Sequence, residues 1–140
     1  MVDVSSKDPS ERIAAAKAIV KLDSQLIQMI QEGGIKKGDV ISTAKLAGIM
    51  GAKQTCHIIP LCHQINLTSI DIDITFEDQE YAVITCTVKT KDRTGVEMEA
   101  LTGASISCLA LYDMVKSVKK NVVIQDLRLI SKTGGKSDIK

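Results

Sequence analysis

Charged side chains interrupt the apolar face of one long helical segment and are the first candidates for chemistry. Glu97 and Glu99 lie two residues apart at its start, and Asp113 and Lys116 lie three apart near its end. Residues three apart share one face of a helix, and this face also passes through Leu109. The spacing predicts either a pocket-lining ion pair or a structural salt bridge at the edge of a core, and spacing alone leaves both open.

Two Cys-His pairs, Cys56-His57 and Cys62-His63, place four potential metal ligands within eight residues. Zinc ligands within a pair are usually about two to four residues apart, and adjacent ligands converge poorly on a tetrahedral ion. We therefore predict no metal site. From its position after Pro60, we interpret His63 as a hydrogen-bonded loop histidine rather than a ligand contact.

Two basic segments could bind a phosphate. Residues 133–137 read Thr-Gly-Gly-Lys-Ser, like the end of a phosphate loop, but Ile130 stands where the first glycine is required. The glycine amides beside Lys132 and Lys136 could still close on an anion, although a solvated basic tail is the favoured interpretation. Lys37 precedes a helix start, where the helix dipole disfavours a cation, so its presence there suggests a phosphate ligand.

Composition excludes several classes of protein. The chain has 18 Lys and Arg against 17 Asp and Glu, a net charge of +1 and only 2% aromatic residues. It therefore lacks both the basic field and the stacking platforms of a nucleic-acid-binding protein. No apolar run has the length of a membrane span, and the N-terminus does not have the pattern of a signal peptide.

Length and cysteine usage predict the class of domain. At 140 residues the chain is expected to form a single domain, residues 1–140, with flexible segments at 1–9 and 133–140. The four dispersed cysteines are interpreted as reduced thiols, which predicts a cytoplasmic protein. A core of Ile, Val, Leu and Ala is poor in large side chains, so a homo-oligomer is a reasonable way to bury more surface.

Apolar periodicity predicts most elements but leaves the first one open. Residues 8–11 have the form of a helix start, yet residues 12–22 alternate as a strand does. Helices are predicted from Asp23 to the glycines at 33–34, over 40–53 and over 99–119, and 59–63 is predicted to be a loop. Strands are predicted at 67–76, at 81–89 and from residue 121 onwards. With a first strand, this order predicts an α+β sandwich.

Six motifs in order along the chain carry a resemblance to a known family. They are Met1-Val2-Asp3-Val4-Ser5, Lys37-Gly38-Asp39-Val40, Ile59-Pro60-Leu61-Cys62-His63, Gly95-Val96-Glu97-Met98-Glu99-Ala100-Leu101-Thr102, Tyr112-Asp113-Met114 with Lys116, and Arg128-Leu129 with Lys132-Thr133-Gly134-Gly135-Lys136-Ser137. Together they resemble the molybdenum-cofactor biosynthesis protein C family, the cyclic pyranopterin monophosphate synthases. The resemblance implies a ferredoxin-like α+β sandwich, with residues 12–22 as a strand and helices on one face of an antiparallel sheet. It also implies a homohexamer, a trimer of dimers with sites at the dimer interfaces.

The resemblance further implies a lyase reaction in molybdenum cofactor biosynthesis. Its substrate would be the nucleotide-derived 3′,8-cyclo-7,8-dihydroguanosine 5′-triphosphate, and its products would be cyclic pyranopterin monophosphate and pyrophosphate. By the same resemblance the catalytic residues are Asp113, Lys116 and Lys37. The implied substrate-binding residues are Leu61, Cys62, His63, Glu97, Met98, Glu99, Lys132 and Lys136. One position departs from the family pattern, since Gln64 stands where a proline usually follows the histidine.

We expect Lys116 and Lys37 to share acid and base chemistry and Lys132 and Lys136 to hold phosphate, with Glu97, Glu99 and His63 positioning base or ribose. No tightly bound cofactor is expected, although Mg²⁺ could accompany the substrate phosphates. Two other functions are weighed beside the enzyme. A non-catalytic module that binds a phosphorylated ligand would give tight binding without product, and a zinc-stabilised structural protein would lose its fold to a chelator.

Overall fold

The computed structural model describes residues 1–140 and contains four strands and four helices. In chain order they are β1 (Ser10–Lys21), α1 (Ser24–Gln31), α2 (Val40–Lys53), α3 (Thr55–Ile58), β2 (Leu67–Glu77), β3 (Tyr81–Asp92), α4 (Glu97–Val115) and β4 (Val123–Thr133). The strands form one sheet in the order β2-β3-β1-β4, and every neighbouring pair is antiparallel. The helices pack on one face of this sheet, so the predicted ferredoxin-like α+β sandwich is confirmed.

The first segment is a strand because its small side chains fit between a sheet and a helix layer. Ala14, Ala16, Ala18 and Val20 alternate along β1 and are at most 1% exposed. They lie on the central strand, which pairs with β3 on one side and β4 on the other. Of the two alternatives left open for this segment, the helix start at residues 8–11 does not occur and the strand does. Alanine favours a helix in isolation, but the alternating pattern and the buried central position decide the outcome.

Glycines bring α2 and α4 into close contact above the sheet. A methyl group built on Gly51 would lie 2.6 Å from Cγ1 of Ile106, and one on Gly48 would lie 3.0 Å from the carbonyl oxygen of Gly103. Glycine at positions 48 and 51 therefore lets the two helices approach more closely than any larger residue would. This contact fixes α4 against both the sheet and α2.

Element ends differ from the sequence prediction at several points. The long helix begins at Glu97 and ends at Val115, rather than spanning 99–119, and α3 falls in a region for which no separate helix was predicted. The segment after β4 folds back, because Lys132 and Ile139 exchange two backbone hydrogen bonds of 2.6 and 2.8 Å. Flexibility of this tail and of residues 1–9 stays a prediction. None of the helices combines the length and apolar character needed to cross a membrane.

Candidate active site

Asp113 bridges two lysines at the C-terminal end of α4. Its Oδ2 lies 2.6 Å from Nζ of Lys37 and its Oδ1 lies 3.1 Å from Nζ of Lys116. Lys37 also donates to the backbone carbonyl of Asp113 over 3.3 Å. Lys37 reaches this position from the turn before α2, and Lys116 is the residue that caps α4. The three predicted catalytic residues therefore lie together.

The Asp113 ion pairs are on the surface rather than buried. The side chains of Asp113, Lys37 and Lys116 are 52%, 48% and 56% exposed. Hydrogen bonds from Lys37, and then from Lys116, hold the pKa of the Asp113 carboxyl below its ordinary value of 3.8. Asp113 is thus ionised at neutral pH and keeps two ammonium groups side by side. In the single chain this ion pair is therefore partly exposed rather than enclosed by the core.

Two adjoining cavities lie at the opposite, N-terminal end of α4. One, of about 210 Å³, is lined by four cations, Lys7, Arg12, Lys132 and Lys136, and by the segment around Gly135. The second, of about 170 Å³, is lined by the predicted substrate residues Leu61, Cys62, His63, Glu97, Met98 and Glu99. Both cavities share Thr94, Gly95 and Glu97 as a common wall. A cation-lined compartment therefore lies directly beside a more neutral one.

Burial raises the pKa values of two groups in the second cavity. Glu99 is only 4% exposed, and burial, with a smaller effect from the neighbouring Glu97, raises the pKa of its carboxyl. Burial and the nearby Glu99 also raise the pKa of the Cys62 thiol. Cys62 is therefore a neutral thiol in this cavity and not an activated nucleophile.

His63 is held by the N-terminal segment. Its Nε2–H donates to the backbone carbonyl of Val2 over 2.6 Å. Gln64, in the position of the proline usual in the resembling family, is exposed. The histidine is thus fixed by a long-range hydrogen bond even without a proline after it, and the expectation of a hydrogen-bonded loop histidine agrees with this geometry.

The glycine segment after β4 forms the outer wall of the cation-lined cavity. Gly134 has φ +90°, a backbone conformation that side-chain-bearing residues rarely adopt, and its Cα faces the Glu11 carbonyl too closely to admit a side chain. Ser10 donates to the Gly134 carbonyl over 3.0 Å. On the inner wall Lys132 lies 3.7 Å from the Glu97 carboxylate. Lys132 and Lys136, which flank this segment in sequence, both line the cavity.

The predicted site residues form two clusters that do not meet within one chain. Asp113 follows Glu97 by sixteen residues of α4. At a rise of 1.5 Å per residue these two side chains start about 24 Å apart along the helix axis. The catalytic cluster of Asp113, Lys116 and Lys37 therefore lies at one end of α4, and all eight predicted substrate-binding residues lie at the other.

Sequence reasoning missed Lys7 and Arg12, which line the cation-lined cavity. Arg12 carried a signal, because it belongs to the alternating series of Ala14, Ala16 and Ala18, whose side chains face the helix layer. An arginine in a core-facing register needs a polar environment, which in this fold is the cavity. Lys7 lies in a segment without periodicity, and nothing in its sequence context indicates its position. Within residues 1–140 no three His, Cys, Asp or Glu side chains are grouped to hold a metal ion.

Comparison with known proteins decides the family. The family model described as "MoaC family" matches residues 1–135.

The chain belongs to the MoaC family.

MoaC-family relatives match it over nearly the full length. Over 98% of this chain, a relative from Syntrophomonas wolfei is 51% identical, one from Peptoclostridium acidaminophilum is 50% identical and one from Rhodospirillum rubrum is 51% identical. The alignments cover 88%, 87% and 83% of those three proteins, and each is named cyclic pyranopterin monophosphate synthase. Membership in the MoaC family agrees with the resemblance found in the sequence motifs and with the fold.

Proposed function

We propose that this chain is a cyclic pyranopterin monophosphate synthase of molybdenum cofactor biosynthesis, a lyase. It converts 3′,8-cyclo-7,8-dihydroguanosine 5′-triphosphate to cyclic pyranopterin monophosphate and pyrophosphate. The observation that carries this proposal is the pair of adjoining cavities, one lined by four cations and the other containing Glu97, Glu99 and His63. A nucleotide-derived triphosphate has a matching division, with a polyanionic chain on one side of the ribose and a hydrogen-bonding base on the other. The names of the MoaC-family relatives support the same reaction.

In this proposal the two cavities bind different parts of the substrate. Lys132 and Lys136 neutralise the phosphate chain in the larger cavity, where ammonium groups act as point charges on phosphate oxygens. Glu99, which is buried and has a raised pKa, can donate a hydrogen bond to the base or accept one from it. His63 and Glu97 orient the ribose or base. Leu61, Cys62 and Met98 supply the apolar surface of that cavity.

Asp113 and its two lysines supply the proton transfers. Rebuilding the purine-derived ring moves several protons, and a pair of ammonium groups on one carboxylate can give and take them in sequence. The cyclic phosphate closes when a ribose hydroxyl oxygen forms a bond to the α-phosphorus and the bond to the bridging oxygen of pyrophosphate breaks. The hydroxyl proton passes to a lysine that has become an amine by giving its own proton to the ring being rebuilt, and the leaving pyrophosphate takes the electron pair.

Any magnesium ion would depend on the substrate for its ligands. The carboxylates of residues 1–140 form no group of three that could hold a cation. Glu97 is the one carboxylate that lines the cation-lined cavity. A Mg²⁺ ion would therefore sit on oxygens of the substrate phosphates. No tightly bound cofactor is part of the proposal.

The complete site requires a second copy of the chain. The two clusters lie about 24 Å apart on one rigid helix, which is too far for one substrate to touch both. A two-fold axis can set α4 antiparallel to α4 of another copy. The Asp113 cluster of each chain then lies at the cavities of the other chain, which gives two equivalent sites in the dimer. Leu109, Ile124 and Leu127, which are 54%, 39% and 45% exposed beside an apolar cavity between α4 and β4, offer surface for such contacts. We propose a homohexamer built as a trimer of these dimers.

The decisive assay follows pyrophosphate release and pterin formation from the cyclised triphosphate by wild type and by Lys116→Ala. We expect product from wild type and almost none from the folded variant, because Lys116 is half exposed and its loss leaves the core intact. Lys120→Ala, which removes an exposed lysine four residues further along the chain, is the matched control and keeps wild-type turnover. Tight binding of substrate with no product from wild type would instead identify a non-catalytic binding module.

A further inference from the structure

Arg12 connects the cation-lined cavity to the loop that leads into α4. Its Nε donates to the backbone carbonyl of Asp92 over 3.2 Å, and its Nη2 donates to the carbonyl of Arg93 over 3.3 Å. Residues 93–96 then run directly into Glu97, the first residue of α4. One edge of the guanidinium is therefore committed to holding this loop.

The other edge of the guanidinium is free and faces the cavity. Arg12 has no carboxylate partner among the ion pairs of the chain. A methyl group built on Gly135 would lie 3.1 Å from Nη1, so this nitrogen lies close to the glycine segment. Lys7, Lys132 and Lys136 share the same cavity, and Glu97 is the one carboxylate there. Four cations against one anion, in a chain of net charge +1, favour a polyanionic ligand.

We propose that Arg12 is a positioning residue that binds the phosphate chain through the free edge of its guanidinium and holds the loop of residues 93–96 in place through the other edge. Occupancy of the cation-lined cavity then fixes where Glu97 and Glu99 lie in the neighbouring cavity. This inference rests on the proposed function and adds to it a coupling between the two halves of the substrate site. The ligand class is an inorganic or organic chain of at least two phosphates.

The planar shape of arginine is what makes this coupling specific. A guanidinium presents donors on two edges in fixed directions, so that it can bind a phosphate and two carbonyls at once. A lysine at the same position keeps the charge but offers one flexible ammonium group. Arg12→Lys therefore separates the positioning effect from simple charge neutralisation. Lys7 shares the cavity without holding the loop, so Lys7→Ala removes charge alone.

The test uses inorganic pyrophosphate as the probe on the intact protein. Affinity is measured by calorimetry, and amide hydrogen exchange is measured over residues 92–99 with and without saturating pyrophosphate. We expect wild type to bind and to slow exchange in this segment, because the loop is fixed when Arg12 is engaged. Arg93→Lys, an exposed change on the same loop that keeps its backbone carbonyl, is the control and behaves as wild type.

Arg12→Lys is expected to bind pyrophosphate about tenfold more weakly and to lose the exchange protection even at saturation. Lys7→Ala also weakens binding but keeps the protection at saturation. Wild-type protection in Arg12→Lys, or no pyrophosphate binding by wild type, would overturn the inference. Neither readout needs turnover. If wild type forms pterin product but Arg12→Lys keeps full exchange protection, the coupling alone is refuted. If pyrophosphate protects the wild-type segment from exchange but wild type forms no product, the proposed function alone is refuted.

Discussion

Asp113 shows how one exposed carboxylate can organise two cations. Its two oxygens each bind one ammonium group, at 2.6 Å from Lys37 and 3.1 Å from Lys116. Because all three side chains are about half exposed, we expect the ion pairs to contribute little to the stability of the fold. Their effect is geometric, since they hold two potential acid-base groups at a fixed separation. The i,i+3 spacing predicted the contact with Lys116. The contact with Lys37 spans 76 positions of the chain, so no local pattern could predict it.

Removing Lys37 is expected to raise the pKa of Asp113 towards its ordinary value of 3.8, because the hydrogen bond from Lys37 is the largest cause of its lowering. A carboxyl with a lowered pKa stabilises the fold above its ordinary pKa and loses that contribution as the pH falls through the lowered value. The Asp113 part of this acid dependence should therefore shrink in Lys37→Ala. Carbon-13 NMR titration of the Asp113 carboxyl measures the pKa directly. Lys36→Ala, which removes the exposed neighbouring lysine, serves as control, and an unchanged Asp113 pKa in Lys37→Ala would show that Lys37 does not lower it.

At the scale of elements, the contact between α2 and α4 depends on glycine. Gly51→Ala would place a methyl group 2.6 Å from Cγ1 and 2.7 Å from Cβ of Ile106. Alanine is favoured over glycine in a helix interior by about 1 kcal/mol, but we expect a net loss of about 1 to 3 kcal/mol because the close-packed interface cannot absorb the methyl group. Urea denaturation measures the change. The exposed Thr43→Ala in the same helix should alter stability by less than about 0.5 kcal/mol, and a stabilised Gly51→Ala would show that the helices can separate without cost.

Periodicity predicted the elements whose two faces differ in polarity, and failed where they do not. In β2, Ile70, Ile72 and Ile74 alternate with polar residues, and Asp23 caps α1 through a hydrogen bond from the Leu26 amide, as the sequence indicates. In β1 alanine suits both a helix and a strand, so the motifs of the resembling family were needed to choose. The four residues of α3 are too few to show a helical period.

The candidate site could be predicted only in parts, because its parts come from distant segments. The motifs named the residues at both ends of α4, and the predicted helix over 99–119 already separates Glu99 from Asp113. Nothing in the sequence, however, says that Lys37 joins one end of this helix and the loop of residues 61–63 the other. Arg12 was visible as a charge in a core-facing register, yet its role needs the carbonyls of Asp92 and Arg93, which are 80 and 81 positions away.

At the scale of the whole molecule, a site shared between two copies predicts complementation. Asp113→Asn and Lys132→Ala are each expected to be inactive, because each removes one of the two clusters. When the two variants are co-assembled in equal amounts, a mixed dimer holds one doubly altered site and one site in which both clusters are wild type, so about one quarter of wild-type activity should return. Pyrophosphate release by the refolded mixture measures this, and native mass spectrometry reports the assembly.

Mixing Lys132→Ala with Glu97→Gln is the matched control for complementation. Both changes fall in the same cluster, so each mixed site keeps one altered residue and no activity should return. Recovery in this control, or full activity from a monodisperse monomer, would exclude the shared site.

The nineteen residues of α4 also bear on how the length of this chain can vary. In the proposed shared site the helix is a spacer between a half-site at each of its ends, and one inserted residue would turn everything beyond it by about 100° and shift it by about 1.5 Å. Both copies of the shared site would be misaligned by the same single event. Insertions and deletions should therefore be excluded from α4 even at its exposed positions. The turn between β2 and β3, where Asp78 and Gln79 have positive φ and no site residue lies, is free to change in length.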